Sequence, residues 1–400
     1  MLKEQRAKES DMLNFGRRKT VLFLVIMFLL SVSVAEAKPG NGNGKPGGGG
    51  EDPPATSCAD KPSVFPAFAY TVIKGGRKSK ATNIYLSNAD GDCSALIHTA
   101  VEVEHLSFRL IGNSGTIAWV QYQDENFSSK DSRSKYDLIK VLRFQVDSKE
   151  VTSVDSVETV ANSGSDRIYF ESTGLSYDGQ FVAFIRSDVI VVVQGTYIQD
   201  IREIDISICS SNCNQNIIYT TSYPKSLYSL SYSPRNNRVF FSGGINTSSD
   251  DERASQAYIS FIEKQNGLWS APRELTYEGN GSYGDNYTGF VTFSELDVAL
   301  VDFGNSVLSE AVSYRFKNIF TGQRDVHVIN TNNCSVADSG DCLSSGESSM
   351  EFTIADALLP SLSHDSLLFS SNSSNNIYKY SFSSANLSVV AKGYAADSAD

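Results

Sequence analysis

The sequence has 400 residues, of which 40% are hydrophobic and 20% are charged, an ordinary balance for a chain that buries a core. Ser, Asn, Thr, Tyr and Phe are abundant, and no long segment has an apolar period of 3.6 residues, so the composition favours β-strands joined by polar turns. The net charge of −12 disfavours binding to nucleic acid or to anionic membrane surfaces.

Residues 1–37 are predicted to be a secretory signal peptide. Basic residues 17–19 precede an apolar run at residues 21–34, and small residues flank a cleavage point after residue 37. The run is shorter than the roughly 18 residues of a membrane span, although an uncleaved anchor is the alternative. Cleavage would remove six basic and four acidic residues, leaving 28 basic against 42 acidic side chains, a net charge of −14. We therefore expect a periplasmic or secreted protein, exported by a Gram-negative bacterium, with no stable membrane span.

The predicted domains follow the signal peptide. Residues 38–57 are rich in Gly and Pro and have no apolar anchors, so they are predicted to form a disordered tether. Residues 58–395 are expected to form one folded domain, and residues 396–400 a flexible tail.

Two kinds of strand alternate along the domain. The first kind is a compact apolar run preceded by a small polar turn. It starts at Gly112, Ser176, Ser233, Ser294 and Ser363, and the strand at Val64 is of the same kind without its turn. The second kind alternates apolar and polar residues and ends in a polar turn. It starts at Asn83, Ile139, Arg202, Gln256, Asp325 and Asn376.

The two kinds make six pairs in strict order. The five turns are 64, 57, 61 and 69 residues apart, which is typical of an array of small sheets. Two more strands fit each interval, for example Glu104–Leu110 ahead of the Gly112 turn. The sequence therefore predicts an all-β chain folded as a single six-bladed β-propeller of four-stranded blades, with seven blades as the alternative.

The repeat also resembles a known family. The turn Ser176-Tyr177-Asp178-Gly179 before a "VAFI" strand, and "IYLSNADG" at residues 84–91, are similar to the TolB-type (WD-repeat-like) β-propeller repeat of bacterial periplasmic proteins. The resemblance covers residues 64 to about 392 and implies a propeller fold. Residues 38–57 leave no room for the α/β domain that precedes the propeller in TolB.

Six cysteines follow the predicted signal peptide, and an even number in an exported chain indicates disulfides. Local spacing predicts pairs Cys209–Cys213 and Cys334–Cys342, and elimination leaves Cys58–Cys93, although fifteen connectivities are possible in principle. Ligand clusters containing His are absent from the sequence, so we expect no metal site and no cofactor.

Long polar segments lie between the two kinds of strand, starting at Gln121, Ser242 and Asp302. In a four-stranded blade they would be the connections from the second to the third strand, which all open on one face. Insertions on one face of a repeat protein often mark its binding side, although they are also tolerated without a function. The predicted contacts on this face are Tyr122, Asp131, Arg133, Arg253, Tyr314 and Arg324.

Catalytic signatures are not found in the sequence. The four histidines, His98, His105, His327 and His364, lie in no hydrolase or metalloprotease motif. "NADGD" at residues 88–92 has the oxygen spacing of a calcium loop but lacks the later Glu, so a plain turn is favoured. We therefore expect a monomeric, non-catalytic scaffold that binds a protein, peptide or glycan of the cell envelope. The alternative is a propeller hydrolase or lyase acting on an envelope or extracellular polymer, with acids from different blades converging in one cleft.

Overall fold

A computed structural model shows six antiparallel sheets arranged as a β-propeller. It describes residues 57–74, 81–101, 103–122, 136–164, 168–188, 198–222, 224–235, 237–245, 256–278, 291–304, 306–318, 324–331, 350–355, 357–371, 374 and 376–398. These residues form strands and turns and contain no helix, so none of them forms a helix long and apolar enough to cross a bilayer.

The strands follow one another from the centre of each blade to its edge. Blade one takes its three outer strands from the start of the domain: β1 (Phe68–Lys74), β2 (Ala81–Ser87) and β3 (Ser94–Val101). Blade two has β4 (Val103–Ile111), β5 (Ser114–Tyr122), β6 (Tyr136–Val146), and both β7 (Val151–Val154) and β8 (Glu158–Asn162) paired to β6. Blade three has β9 (Ile168–Leu175), β10 (Phe181–Asp188), β11 (Ile198–Asp205) and β12 (Asn216–Ser222).

The other half of the ring repeats this order. Blade four has β13 (Lys225–Tyr232), β14 (Arg238–Ile245), β15 (Gln256–Gln265), and both β16 (Leu268–Trp269) and β17 (Arg273–Glu278) paired to β15. Blade five has β18 (Val291–Asp302), β19 (Leu308–Asn318), β20 (Arg324–Asn330) and β21 (Met350–Ala355). Blade six has β22 (Ala357–Leu362), β23 (Ser366–Ser371), β24 (Asn376–Ser381) and β25 (Asn386–Lys392).

The C-terminal strand closes the ring. β26 (Tyr394–Ser398) pairs antiparallel with β1, with Phe68 opposite Ser398, and is the innermost strand of blade one. Residues 396–398 therefore belong to the propeller, and the tail expected from residue 396 was placed too early.

Hydrophobic residues pack between neighbouring blades rather than within one sheet. Six clusters of buried residues lie one at each blade interface; the first includes Trp119 and Phe108, both 0% exposed. The cluster between blades six and one joins Tyr70 to Leu368 and Val390, so apolar burial closes the ring along with β26.

Most predicted strands have their predicted places. The second kind of strand is the third strand of every blade, and the first kind is the second strand in all blades except five. In blade five the run from Ser294 is part of β18, the innermost strand, and the segment after Asp302 that was predicted to be a loop contains β19. β19 looks polar because Glu310 and Ser313, both 0% exposed, are among its buried residues.

Candidate functional site in the central channel

The innermost strands surround the centre of the ring, and their pairing with the second strands is irregular at one level. The register shifts at Glu104/Ser107 in β4, at Leu227/Ser229 in β13, at Ser294/Asp297 in β18 and at Leu358/Ser361 in β22. A shift opposite Phe184/Ile185 leaves one residue of β9 unpaired. Such β-bulges turn additional side chains and backbone groups toward the channel.

Four bulge residues have left-handed backbone conformations. The φ angles are 50° at His105, 49° at Ser172, 53° at Glu295 and 49° at Leu359. None of these residues is Gly, so each position costs on the order of 1 kcal/mol and persists because its surroundings hold it there. Four strained positions therefore lie at one level of the channel.

Hydrogen bonds between neighbouring blades hold this level together. The Ser107 hydroxyl accepts the Leu175 amide at 3.0 Å, and the Ser172 hydroxyl accepts the Leu230 amide at 3.0 Å. In the next blades the Leu296 amide donates to the Ser229 hydroxyl at 2.8 Å. Each of these bonds pairs a backbone amide of one blade with a hydroxyl of the preceding blade.

Two carboxylates continue the pattern. Asp297 accepts hydrogen bonds from the Leu362 amide at 2.8 Å and the Ser231 hydroxyl at 3.1 Å. Glu295 accepts the Leu359 amide at 2.7 Å and pairs with the Arg315 guanidinium from β19. Both carboxylates are therefore held as hydrogen-bond acceptors between blades.

A cavity of about 80 Å³ lies among these groups. Its described lining residues come from five innermost strands: His105, Leu106, Ser107, Ser172, Thr173, Ser229, Leu230, Ser231, Glu295, Leu296, Asp297, Leu359 and Pro360. This is the candidate site, and below it is called the channel cavity.

His105 is the histidine of the channel cavity. Burial lowers the pKa of its imidazole, and the Glu295 carboxylate acts in the opposite direction. The imidazole ring is therefore neutral at pH 7. The backbone oxygen of His105 accepts a hydrogen bond from the Thr173 hydroxyl at 2.5 Å. In the described part of the chain, no group of three or more His, Cys, Asp or Glu residues is placed to hold a metal ion.

Three of the six residues predicted for the loop face lie among the described residues. Tyr314 lies in β19 and is 4% exposed, so its predicted loop position is wrong. Arg324 begins β20 and Tyr122 ends β5, both at the ends where second-to-third connections emerge. Asp131, Arg133 and Arg253 lie outside the described residues.

Two of the three predicted disulfides are present. Cys58 is bonded to Cys93 and Cys209 to Cys213, with Cα–Cα distances of 5.2 and 5.7 Å. The third pair, Cys334 and Cys342, lies outside the described residues. Disulfides are typical of an extracellular or periplasmic protein.

The turn predictions are confirmed. Asn88 accepts the amides of Asp92 and Cys93 with its side-chain oxygen and so closes the turn. The Ser176 hydroxyl accepts the Phe181 amide and donates to Asp178 at 2.6 Å. The side chains of Asn88 and Ser176 therefore form hydrogen bonds within their own turns.

The channel residues were missed from the sequence, although a signal existed. Three innermost strands carry a polar residue on each side of a leucine at the cavity: residues 105–107 read His-Leu-Ser, 229–231 Ser-Leu-Ser and 295–297 Glu-Leu-Asp. The triplet recurs at the propeller period and marks the bulge level, which a search for catalytic motifs does not detect.

Comparisons with known proteins show likenesses of fold. No protein-family model matches the sequence. No curated protein matches it either. A chain from a nidogen–laminin complex is 9% identical, with 84% of this chain and 98% of that chain covered and a TM-score of 0.46.

Two other solved structures are similar in fold. A protein described as TolB, from Agrobacterium tumefaciens, is 12% identical over 80% of this chain and 91% of its own, with a TM-score of 0.43. An oligogalacturonate lyase in complex with manganese is 9% identical over 82% and 85%, with a TM-score of 0.37. At these identities the comparisons concern the propeller fold, and membership of the TolB family is not supported by any family model.

Proposed function

We propose that this chain is an exported, non-catalytic propeller that binds a protein, peptide or glycan of the cell envelope. The binding face in this proposal is the one where the second-to-third connections emerge. Residues 123–135, 189–197 and 246–255 connect β5 to β6, β10 to β11 and β14 to β15 on that face. Their lengths favour a contact surface, since binding residues concentrate on loops held by a rigid scaffold.

The observation that carries the non-catalytic part is the engagement of the channel acids. A glycosidase-like site needs one carboxyl group free to exchange a proton and another free to act as base or nucleophile. Glu295 is paired with Arg315, and Asp297 accepts hydrogen bonds from Ser231 and Leu362. Moving either acid into a reaction would break bonds between blades.

The alternative is a hydrolase or lyase working in the channel. One observation favours it: His105, Glu295 and Asp297 line a single cavity. A screen of envelope and extracellular polymers for turnover decides it. Activity lost in Asp297→Asn, with the fold kept, would establish the enzyme and overturn the scaffold.

The test of the scaffold is crosslinking capture from the native envelope with protein of residues 38–400. One variant lacks residues 247–254, between β14 and β15. A matched control lacks residues 343–349, in a third-to-fourth connection on the opposite face. We expect capture of one defined partner that the first deletion reduces at least tenfold and the control keeps. Capture of no partner, or equal loss in both variants, would contradict the proposed face.

A further inference from the structure

The channel cavity is acidic on its described walls. Its titratable lining groups are His105, Glu295 and Asp297, and no Lys or Arg is among the described lining residues. Arg315 neutralises Glu295 through an ion pair. Asp297 has two hydrogen-bond donors but no cationic partner among the described residues, although it is only 8% exposed.

A buried carboxylate without a counter-ion is costly, because burial removes the water that would stabilise its charge. Buried charges in proteins are therefore paired with a cation or coordinate a metal. The described residues provide no metal-binding group of three ligands here. A small cation from outside the chain would supply the missing charge.

The other polar groups of the cavity suit a cation that carries N–H donors. Ser107, Ser172 and Ser229 each accept one backbone amide, and a hydroxyl oxygen keeps a second lone pair. No described residue hydrogen-bonds the His105 ring, whose unprotonated nitrogen is a further acceptor. An ammonium group has three donors and no acceptor, which matches a wall of acceptors.

The cavity is large enough for more than a bare ion. A volume of about 80 Å³ is several times the roughly 10–15 Å³ that one water molecule requires by this measure. The space therefore admits an ammonium group together with its first methylene groups.

We propose that the channel cavity binds a primary ammonium group, with Asp297 as its counter-ion. The two sources with this chemistry are a lysine side chain and the free N-terminus of a peptide. The inference deepens the proposed function, on which it rests, by naming a group that a partner would insert into the channel.

The test is a titration followed by NMR of the histidine rings in protein of residues 38–400. The amines are Nα-acetyl-lysine amide, for the side chain, and Gly-Gly amide, for the N-terminus. Nα,Nε-diacetyl-lysine amide is the uncharged control. The signals of His98, His327 and His364 are internal references outside the cavity, and a His105→Gln variant assigns the His105 signal.

We expect at least one amine to shift the His105 signal in a saturable way, while the diacetylated control does not. Asp297→Asn should weaken binding at least tenfold, because it removes the counter-charge. Asp205→Asn, the same change at the end of β11 in blade three, should have no effect. The inference is overturned if neither amine saturates the shift up to 100 mM, or if the diacetylated control binds equally well. Unchanged affinity in a folded Asp297→Asn protein would also overturn it.

If Asp297→Asn does not fold, the comparison of amine with acetylated amine in the unaltered chain decides the question. The outcome is separable from the proposed function. Amine binding without partner capture would contradict the proposed scaffold function and support the ammonium site. Partner capture without amine binding would contradict the ammonium site alone.

Discussion

Glu171 is an acid of an innermost strand whose surroundings disfavour its charge. Burial raises the pKa of its carboxyl, and hydrogen bonds from Ser187 and Gln199 oppose the increase; the Ser187 hydroxyl donates at 2.7 Å. A raised pKa in the folded state means that this group favours folding most at low pH and loses that contribution as pH rises through the folded pKa.

We predict that Glu171→Gln raises the melting temperature by roughly 1–3 °C at pH 8 and has little effect at pH 4. The amide keeps an acceptor for Ser187 without a charge to desolvate. Thermal melts across this pH range test it, with Glu150→Gln on an exposed turn as control. A loss of stability at pH 8 would contradict the argument.

His327 has the opposite dependence on pH. Its ring lies 5.4 Å from that of Tyr314 and 5.1 Å from that of Phe316, and Nε2 is buried without a hydrogen-bond partner among the described residues. Burial lowers the pKa of the imidazole, and Asp325 opposes this. Its contribution to stability is therefore present above its unfolded pKa and lost as pH falls through the folded value.

Replacing His327 by Phe should leave stability nearly unchanged at pH 8 and increase it relative to the natural chain at pH 5. The aromatic ring fills the same space and cannot be protonated. The measurement is the difference in melting temperature at the two pH values, beside His364→Phe in an exposed turn. An equal effect at both pH values would show that packing, not protonation, dominates.

At the scale of elements, buried polar networks join the blades, and the clearest one is centred on Glu310 of β19. Glu310 is 0% exposed. Its carboxylate accepts hydrogen bonds from the Arg238 guanidinium at 3.0 Å, from the Thr331 hydroxyl at 3.1 Å and from the Ser233 hydroxyl. It thereby connects blade four to blade five. The same group explains why β19 was not predicted as a strand, since an acidic residue in a strand is expected to face solvent.

We predict that Glu310→Gln destabilises the protein by about 3 kcal/mol, because Arg238 loses its closest carboxylate in a buried site. Asp188→Asn is the matched control. Asp188 pairs with Arg186 at 3.2 Å and its side chain is 27% exposed, so its loss should cost about 0–1 kcal/mol. Denaturant unfolding of both variants measures the difference, and equal effects would contradict a structural role for the buried pair.

At the scale of the whole molecule, two disulfides differ in the length of chain that they enclose. Cys58–Cys93 has a sequence separation of 35 residues, and Cys209–Cys213 has a separation of 4. The first ties the start of the domain to blade one, and the second closes a turn within blade three.

Loop-closure entropy predicts a loss of about 4 kcal/mol for Cys58→Ser/Cys93→Ser and about 2 kcal/mol for Cys209→Ser/Cys213→Ser. Melting temperatures of the two double variants in non-reducing buffer should differ in that order. The reverse order would mean that native-state packing around the turn of blade three outweighs chain entropy.

Ring closure by β26 gives a further prediction. A chain ending at residue 393 lacks the innermost strand of blade one and exposes the edge of β1. Exposed edges pair with other chains, so we expect loss of the cooperative transition and aggregation. Light scattering and thermal melts measure this, with a chain ending at residue 398 as the control. A soluble, cooperatively melting chain of 393 residues would show that apolar packing alone closes the ring.

The sequence by itself determined the architecture of this protein. The turn and strand signals recur at the period of one blade, and each depends on local features: turn residues, apolar alternation and cysteine spacing. Local features are readable from neighbouring residues, so five of the six second strands, all six third strands and two of the disulfides were placed correctly.

Only the tertiary structure decided the channel. His105, Glu295 and Asp297 are far apart in sequence and meet because innermost strands of different blades face one centre. The closing strand β26 and the buried pair of Glu310 and Arg238 likewise depend on which blades are neighbours. Contacts between blades are set by ring closure and by the burial of whole sheet faces, so the local pattern of one strand does not show which residues of another blade it meets.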